Sequence, residues 1–354
     1  MNGNFEAESS LQAKFRLGSS LHAEGFLPGR KYAMLEHLEL KNMATPTKTI
    51  STPQKGTSGV GFVGKAKAYF ALTKPRVIEL LLITTLPTMI LAKGGLPDFG
   101  LVLATLFGGA LSAGSANAFN CYIDTDIDKI MGRTKNRPLV TGELSKTEAL
   151  VFSWTIGAMS VLWLGLLVNW LASLISLAAL LFYVFIYTLL LKRRTPQNIV
   201  WGGAAGAAPV LIGWAAVNNE LSAAAWVLFL VIFLWTPPHY WPLSVKYKAD
   251  YEMAKVPMLP VVRSTKTVVS QIVIYSWAVA ASTLLLIPVA NMGLIYAITA
   301  VAGSAWFVLA SHRLHREGMQ GELKKPMNLF HLSNLYLTAL FVAVAVDTLV
   351  HISL

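Results

Sequence analysis

Residues 120–138 read NCYIDTDIDKIMGRTKNRP. Three acids, Asp124, Asp126 and Asp128, are followed at once by four cations, Lys129, Arg133, Lys135 and Arg137. If the helix carrying this stretch continues through it, Asn120, Asp124 and Asp128 stand at i, i+4 and i+8 and share one face, with Asn117 one turn earlier. Asp126 then points elsewhere, to a helix end or a supporting position. Clustered carboxylates repel, and at a membrane boundary desolvation adds to the cost, so something cationic must compensate. A hard divalent cation fits. Mg²⁺ prefers oxygen ligands, takes one or two carboxylates, and completes its shell with water and substrate phosphates. Arg133 and Arg137 lie just beyond, and guanidinium groups bind phosphate oxygens two at a time. Carboxylates for a metal beside arginines for phosphate describe a diphosphate site. The same spacing also fits a solvated loop whose charges pair among themselves and set topology.

A second cluster lies further on. Residues 235–262, WTPPHYWPLSVKYKADYEMAKVPMLPVV, carry His239, Lys246, Lys248, Asp250, Glu252 and Lys255. A histidine here is by itself compatible with a buried ring satisfied by a neighbour. Trp235, Tyr240 and Trp241 by themselves would make an interfacial aromatic belt.

The elements that must position these groups follow from composition. The chain of 354 residues is 55% hydrophobic and only 13% charged, where soluble domains carry nearer a quarter charged residues, so it reads as an all-α polytopic membrane protein. Nine apolar stretches are long enough to span a bilayer, near 77–96, 99–123, 147–168, 170–191, 199–217, 221–241, 267–290, 293–311 and 330–352. The boundary at Asn169-Trp170 is soft. The runs are too continuous for alternating barrel strands. Both charged clusters fall on the same side, four spans apart, as in an internal repeat with a site between its halves. Cations concentrate on that side, from Lys74 and Arg76 through Lys192, Arg193 and Arg194 to Arg313 and Arg316, whereas the opposite loops offer only Lys93. This bias places the amino terminus in the cytoplasm, or its organellar equivalent, and the carboxyl terminus outside. The formal net charge of +11 therefore reports orientation in a bilayer rather than nucleic-acid binding. Residues 1–66 are polar and aperiodic and read as a mostly disordered tail ahead of a domain over 67–354. The single cysteine, Cys121, excludes an intrachain disulfide and reads as packing. Two acids, Glu79 and Asp347, fall inside apolar stretches, where ionisable groups are functional candidates by default, though Glu79 has Arg76 nearby.

The 120–139 block resembles the Asn-x-x-x-Asp-x-x-x-Asp motif of the intramembrane aromatic prenyltransferases. The resemblance extends to TKPRVIELLLITTLPTMILA at 73–92, YTLLLKRRTPQNIVWGGAAGAAPVLIGW at 187–214 and PPHYWPLSVKYKADYEMAKVPMLPVV at 237–262, and is closest to the subgroup that farnesylates haem. It covers about residues 66–352. It implies nine transmembrane helices around a central cavity, with a cytoplasmic cap of two charged loops, and it implies that Asn120, Asp124 and Asp128 hold a Mg²⁺-diphosphate. Relatives acting on quinone precursors carry two aspartates four apart in the second loop. Here Asp250 matches one of them, while Lys246 stands four before it and Ala254 four after. That departure disfavours a second metal and suits direct contact of the lysines with diphosphate, as in the haem subgroup.

The reaction so implied transfers farnesyl from farnesyl diphosphate to a vinyl group of haem B. Arg133, Arg137, Lys192 and Arg194, with Lys246 and Asp250 from the second loop, then face the diphosphate. His239 serves the haem, as an iron ligand or a propionate partner, and Tyr122, Tyr183 and Tyr187 are candidates to face the allylic cation. The expected setting is the inner (plasma) membrane or an organellar inner membrane, with haem-modifying or oxidase-assembly proteins as downstream contacts. Two rival readings are a different acceptor, a quinone precursor or a chlorophyll-type macrocycle, and an ion-coupled transporter. Transporter sites lie near the bilayer midplane, whereas these acids lie at a helix end.

Overall fold

The computed structural model describes residues 61–353, apart from the side chains of residues 76, 77 and 79–82. The expected Glu79–Arg76 pairing and residues 1–60 of the expected tail lie outside the described residues. The chain runs through α1 (Phe62–Leu72), α2 (Pro75–Lys93), α3 (Phe99–Ile123), α4 (Thr125–Ile130), α5 (Pro138–Thr141), α6 (Lys146–Leu167) and α7 (Trp170–Leu181). The last continues as a π-helix over Phe182–Leu191. Then follow α8 (Asn198–Asn218), α9 (Ala223–Lys246), α10 (Lys248–Met253), α11 (Leu259–Val262), α12 (Thr265–Val289), α13 (Leu294–Met319) and α14 (Pro326–Val350). No strand occurs among the described residues.

Eight of these helices are long and apolar enough to cross a bilayer, counting α7 with its π extension. The first expected span, 77–96, falls on α2, which ends earlier, at Gly94 in the left-handed conformation (φ 65°). Helix starts follow polar caps. Asp98 accepts the Leu101 N–H, Ser145 and Glu148 form a reciprocal capping box, and Asn169 caps α7 through the Ala172 N–H. Asn169 also donates to Ala215 O at 2.8 Å, which fixes the soft boundary between α6 and α7 against α8. Two spans run past their expected ends. α9 continues to Lys246, with Pro237, Pro238 and Pro242 inside it. α13 continues to Met319 beyond its apolar run, because a helix does not stop where the lipid does. α1 begins at Phe62, inside the expected tail. Its Ala68 and Leu72 bury against Ala118, Cys121 and Leu139, and its Lys65 pairs with Glu148 at 2.7 Å.

Neighbouring helices close a circuit. α3 packs on α6, α6 on α7, α7 on α8, α8 on α9, α9 on α12, α12 on α13 and α13 on α14, and α14 returns to α2, which also lies against α3 and α8. Small polar residues replace apolar burial as the glue, as expected in lipid. Ser115 donates to Ser153 O and Ser160 to Gly108 O, each at 2.8 Å. A Cβ at Gly108 would stand 2.5 Å from Leu164, so this approach of α3 to α6 needs glycine. Asp347 has a structural partner set. Its carboxylate accepts the backbone N–H groups of Gly293 (2.6 Å) and Tyr296 (3.0 Å), capping α13 from α14.

Candidate active site at the mouth of the bundle

α3 breaks at Asp124, which closes α3 and opens α4. The helical bonding nevertheless carries through, from Asp124 N to Asn120 O at 2.9 Å and from Asp128 N to Asp124 O at 2.8 Å. The shared face expected from the spacing is therefore present, and Asn117, Asn120, Asp124 and Asp128 are all buried on it. Asn120 donates to Asp124 Oδ2 at 2.8 Å and, at 3.2 Å, to the hydroxyl of Thr188.

The π-helical stretch explains why Thr188 is there. Bonding from i to i+5 brings residues five apart onto one face, and Thr188 Oγ1 donates to Tyr183 O at 2.8 Å. Lys192 then follows and ion-pairs with Asp124. Arg193 reaches Asp124 at 3.3 Å and Asp126 at 2.7 Å. This guanidinium holds the exposed Asp126 carboxyl down to about 2. Arg137 pairs with Asp128 at 2.5 Å. From the other side Lys74 donates to Asn120 Oδ1 at 2.7 Å, and Thr73 O accepts from Asn117 at 2.9 Å. Burial brings the Lys74 ammonium down to about 8, with Arg137 and Lys192 pushing the same way. Four cations thus converge on two buried carboxylates and one amide.

The remaining expected residues lie around this centre. Arg133 turns to the second charged cluster, with its guanidinium 5.5 Å from the Tyr247 ring centroid and 3.5 Å from Tyr251 Oη. Tyr251 and Tyr240 hydroxyls meet at 3.0 Å, and burial pushes the Tyr251 phenol up. Asp250 brings its carboxylate to within 3.8 Å of where a Cβ on Gly132 would stand, so the two charged clusters approach each other there. Lys246 and Arg194 are exposed, and Arg194 makes no ion pair among the described residues; its neighbour Arg193 is the one that reaches the acids. His239 lies apart from the carboxylates, against α14. Its Nδ1 is 2.8 Å from Ser333 Oγ, and its ring stacks between Trp235 and Phe330.

Below Asn117 the bundle opens into an apolar pocket. Thr105, Gly109, Leu180, Tyr183, Gly206 and Ile212 are among the residues around it. From Asn117 to Thr105 it follows α3 for roughly 18 Å at 1.5 Å per residue. Of the three candidate tyrosines, Tyr183 faces this pocket, and the Tyr187 ring lies tilted against the Tyr183 ring with centroids 5.2 Å apart. Tyr122 packs instead with the α1 contact, 6.0 Å from Lys146.

Sequence reasoning counted Lys74 and Arg193 only as orientation charges, and it passed over Thr188, Tyr251 and Ser333. Lys74 had one usable signal, a lysine directly before Pro75 at a helix start. Its left-handed backbone (φ 53°) is what turns it inward.

The donor set suits Mg²⁺. Among the described residues no three His, Cys, Asp or Glu side chains gather into a cage. What is present is two carboxylates and an amide on one buried face, the sparse all-oxygen set that Mg²⁺ uses when substrate phosphates complete its shell.

Residues 81–335 match the UbiA prenyltransferase family. The chain is 63% identical over 290 residues to a protoheme IX farnesyltransferase of Clavibacter sepedonicus, covering 82% of this chain and 95% of that one. It is 57% identical to that of Pseudarthrobacter chlorophenolicus, over 87% of this chain and 98% of that one. Among solved structures it is similar to a digeranylgeranylglyceryl phosphate synthase (TM-score 0.68, 19% identity, 80% and 98% covered). It is also similar to a UbiA homologue of Archaeoglobus fulgidus bound to GPP and Mg²⁺ (TM-score 0.54, 16% identity, 79% and 99% covered). With the buried Asn120–Asp124–Asp128 face in place above an apolar pocket, these likenesses agree on one conclusion: the chain belongs to the UbiA prenyltransferase family, on its protoheme IX farnesyltransferase branch.

Proposed function

We propose that this chain transfers the farnesyl group of farnesyl diphosphate to a vinyl group of haem B, yielding haem O. The single observation that carries the reading is the buried acid–amide face, ringed by cations and set directly above an apolar pocket. The diphosphate head sits among Lys74, Arg137, Lys192 and Arg193, and the prenyl tail descends past Tyr183 into the pocket. Asn120, Asp124 and Asp128 would hold Mg²⁺, which when bound neutralises charge building on the departing diphosphate. The cations now paired with Asp124 and Asp128 are the groups that turn to the phosphate oxygens, and Lys192 and Arg137 are already partly withdrawn from solvent.

The C–O bond to diphosphate breaks and the allylic cation forms beside Tyr183, whose ring face stabilises it by about 0.5–2 kcal/mol. The haem vinyl forms the new C–C bond, and the resulting cation takes water and loses a proton to the medium. No side chain acts as nucleophile. The protein contributes position, charge and exclusion of stray water from the cation. Arg133, under the phenols of Tyr247 and Tyr251, and Asp250, beside Gly132, join the two loops into a cap over the reacting groups.

In the same reading α2 is a ninth span, the amino terminus is cytoplasmic and the carboxyl terminus lies across the inner (plasma) membrane. The domain begins at α1 behind a polar tail. Haem O then passes to haem-modifying or oxidase-assembly proteins. The test is product mass. Purified protein given haem B, farnesyl diphosphate and Mg²⁺ should yield the hydroxyethylfarnesyl haem. Folded protein that leaves haem B unchanged while prenylating a quinone precursor would refute the acceptor.

A further inference from the structure

One imidazole is locked between two helices. The His239 ring lies between the rings of Trp235 (centroids 4.0 Å apart, 15°) and Phe330 (4.5 Å, 27°), so both of its faces are covered. Trp235 and His239 are one turn apart on α9, and each meets the same residue of α14. Trp235 Nε1 donates to Ser333 O at 2.9 Å, and His239 Nδ1 lies 2.8 Å from Ser333 Oγ.

The one proton of the Ser333 hydroxyl ties the tautomer of His239 to the neighbouring carbonyl. Ser333 Oγ donates to Phe330 O at 2.7 Å. A hydroxyl has one proton, and a carbonyl has none to return. With the Ser333 proton on Phe330 O, Ser333 Oγ is the acceptor from His239, Nδ1 carries the hydrogen and Nε2 carries a bare lone pair. Nε2 has no hydrogen-bond partner among the described residues, and no acidic side chain contacts the ring there. This arrangement separates the two roles open to His239. An ionised propionate is acceptor-only and would meet a lone pair with a lone pair. Haem iron accepts an electron pair.

We infer that His239 ligates the iron of the haem substrate through Nε2, and that Ser333 is the positioning residue that fixes the tautomer and aim of the ring. The inference rests on the haem reading above. Ligation at the metal holds the macrocycle without engaging its vinyl edge. Trp235 and Phe330 keep the imidazole from rotating, so the direction of Nε2 is set by two helices rather than by one side chain's torsions.

The test compares haem B with metal-free protoporphyrin IX, which has the same propionates and vinyl groups but no iron. Both are titrated into the full chain in nanodiscs. His239→Ala should weaken haem B binding at least about tenfold and leave protoporphyrin IX binding unchanged. Ser333→Ala should weaken haem B binding about tenfold and shift the iron–histidine vibration of the ferrous complex. Ser333→Thr, which keeps the hydroxyl, should restore both. His239→Gly supplied with imidazole should regain the wild-type haem spectrum, which excludes misfolding as the cause of the loss. An equal loss for both porphyrins, or an unchanged haem spectrum in His239→Ala, overturns the inference. Farnesylation by the wild-type chain is scored separately: its absence overturns the functional reading, whereas active wild type with an iron-independent loss overturns only the ligation.

Discussion

Asp124→Asn is the perturbation that most directly probes the site. Asp124 is 0% exposed, and its carboxylate takes an N–H from Asn120 at 2.8 Å, the Lys192 ammonium, and Arg193 at 3.3 Å. Removing one partner of a buried ion pair costs about 3–5 kcal/mol, because the other charge is left uncompensated. The lower end applies here, since the Lys192 side chain keeps 16% exposure and Arg193 keeps Asp126. The variant should therefore be less stable by about 3 kcal/mol. Turnover should also fall by about 10²–10³-fold or more, on the scale of removing one group from a preorganised charge-stabilising site. Thermal unfolding in detergent measures the first effect. Haem O formed per folded molecule across a Mg²⁺ titration measures the second. A folded Asp124→Asn variant that turns over within tenfold of wild type at every Mg²⁺ concentration would refute the role given to this carboxylate.

Asp126→Asn is the matched control: its side chain is 65% exposed, and an exposed pair is worth at most about 1 kcal/mol, so turnover should stay within about fivefold. Asp347→Ala should destabilise the fold by about 2–4 kcal/mol, from two buried backbone N–H groups losing their acceptor, with activity per folded molecule unchanged; a specific loss of turnover would give that acid a functional role. Gly206→Leu should project into the apolar pocket, since nothing lies within 4 Å of a Cβ there. Shutting out even two methylenes at about 0.8 kcal/mol each should lower kcat/KM for farnesyl diphosphate at least tenfold relative to geranyl diphosphate, and equal losses for both donors would place the prenyl tail elsewhere.

The spans were legible because lipid imposes a long apolar run, and 170–191 lands on the residues of the fourth expected span. What hydropathy does not encode is pitch. FYVFIYTLLL reads the same wound as α or as π, so the route by which Thr188 reaches Asn120 was invisible. The acid face was legible because i, i+4, i+8 survives the break at Asp124. The cation set was only half legible. Arg193 and Arg194 are adjacent and chemically alike, and which one turns inward depends on how the π segment ends. Ser333 had no signal at all, because a serine in an apolar span is ordinary helix glue until its partner's tautomer is counted.

The wide-pitch end of α7 behaves as though the chain held a spare residue there. Deleting one amino acid between Phe182 and Leu191 would let the segment rewind to ordinary pitch. Every segment would stay as oily as before and long enough to span, and insertion would proceed normally. Thr188 and Lys192 would nonetheless swing away from Asn120 and Asp124. A lesion of this kind would leave hydropathy plots and topology maps untouched and would show only as silence in the assay.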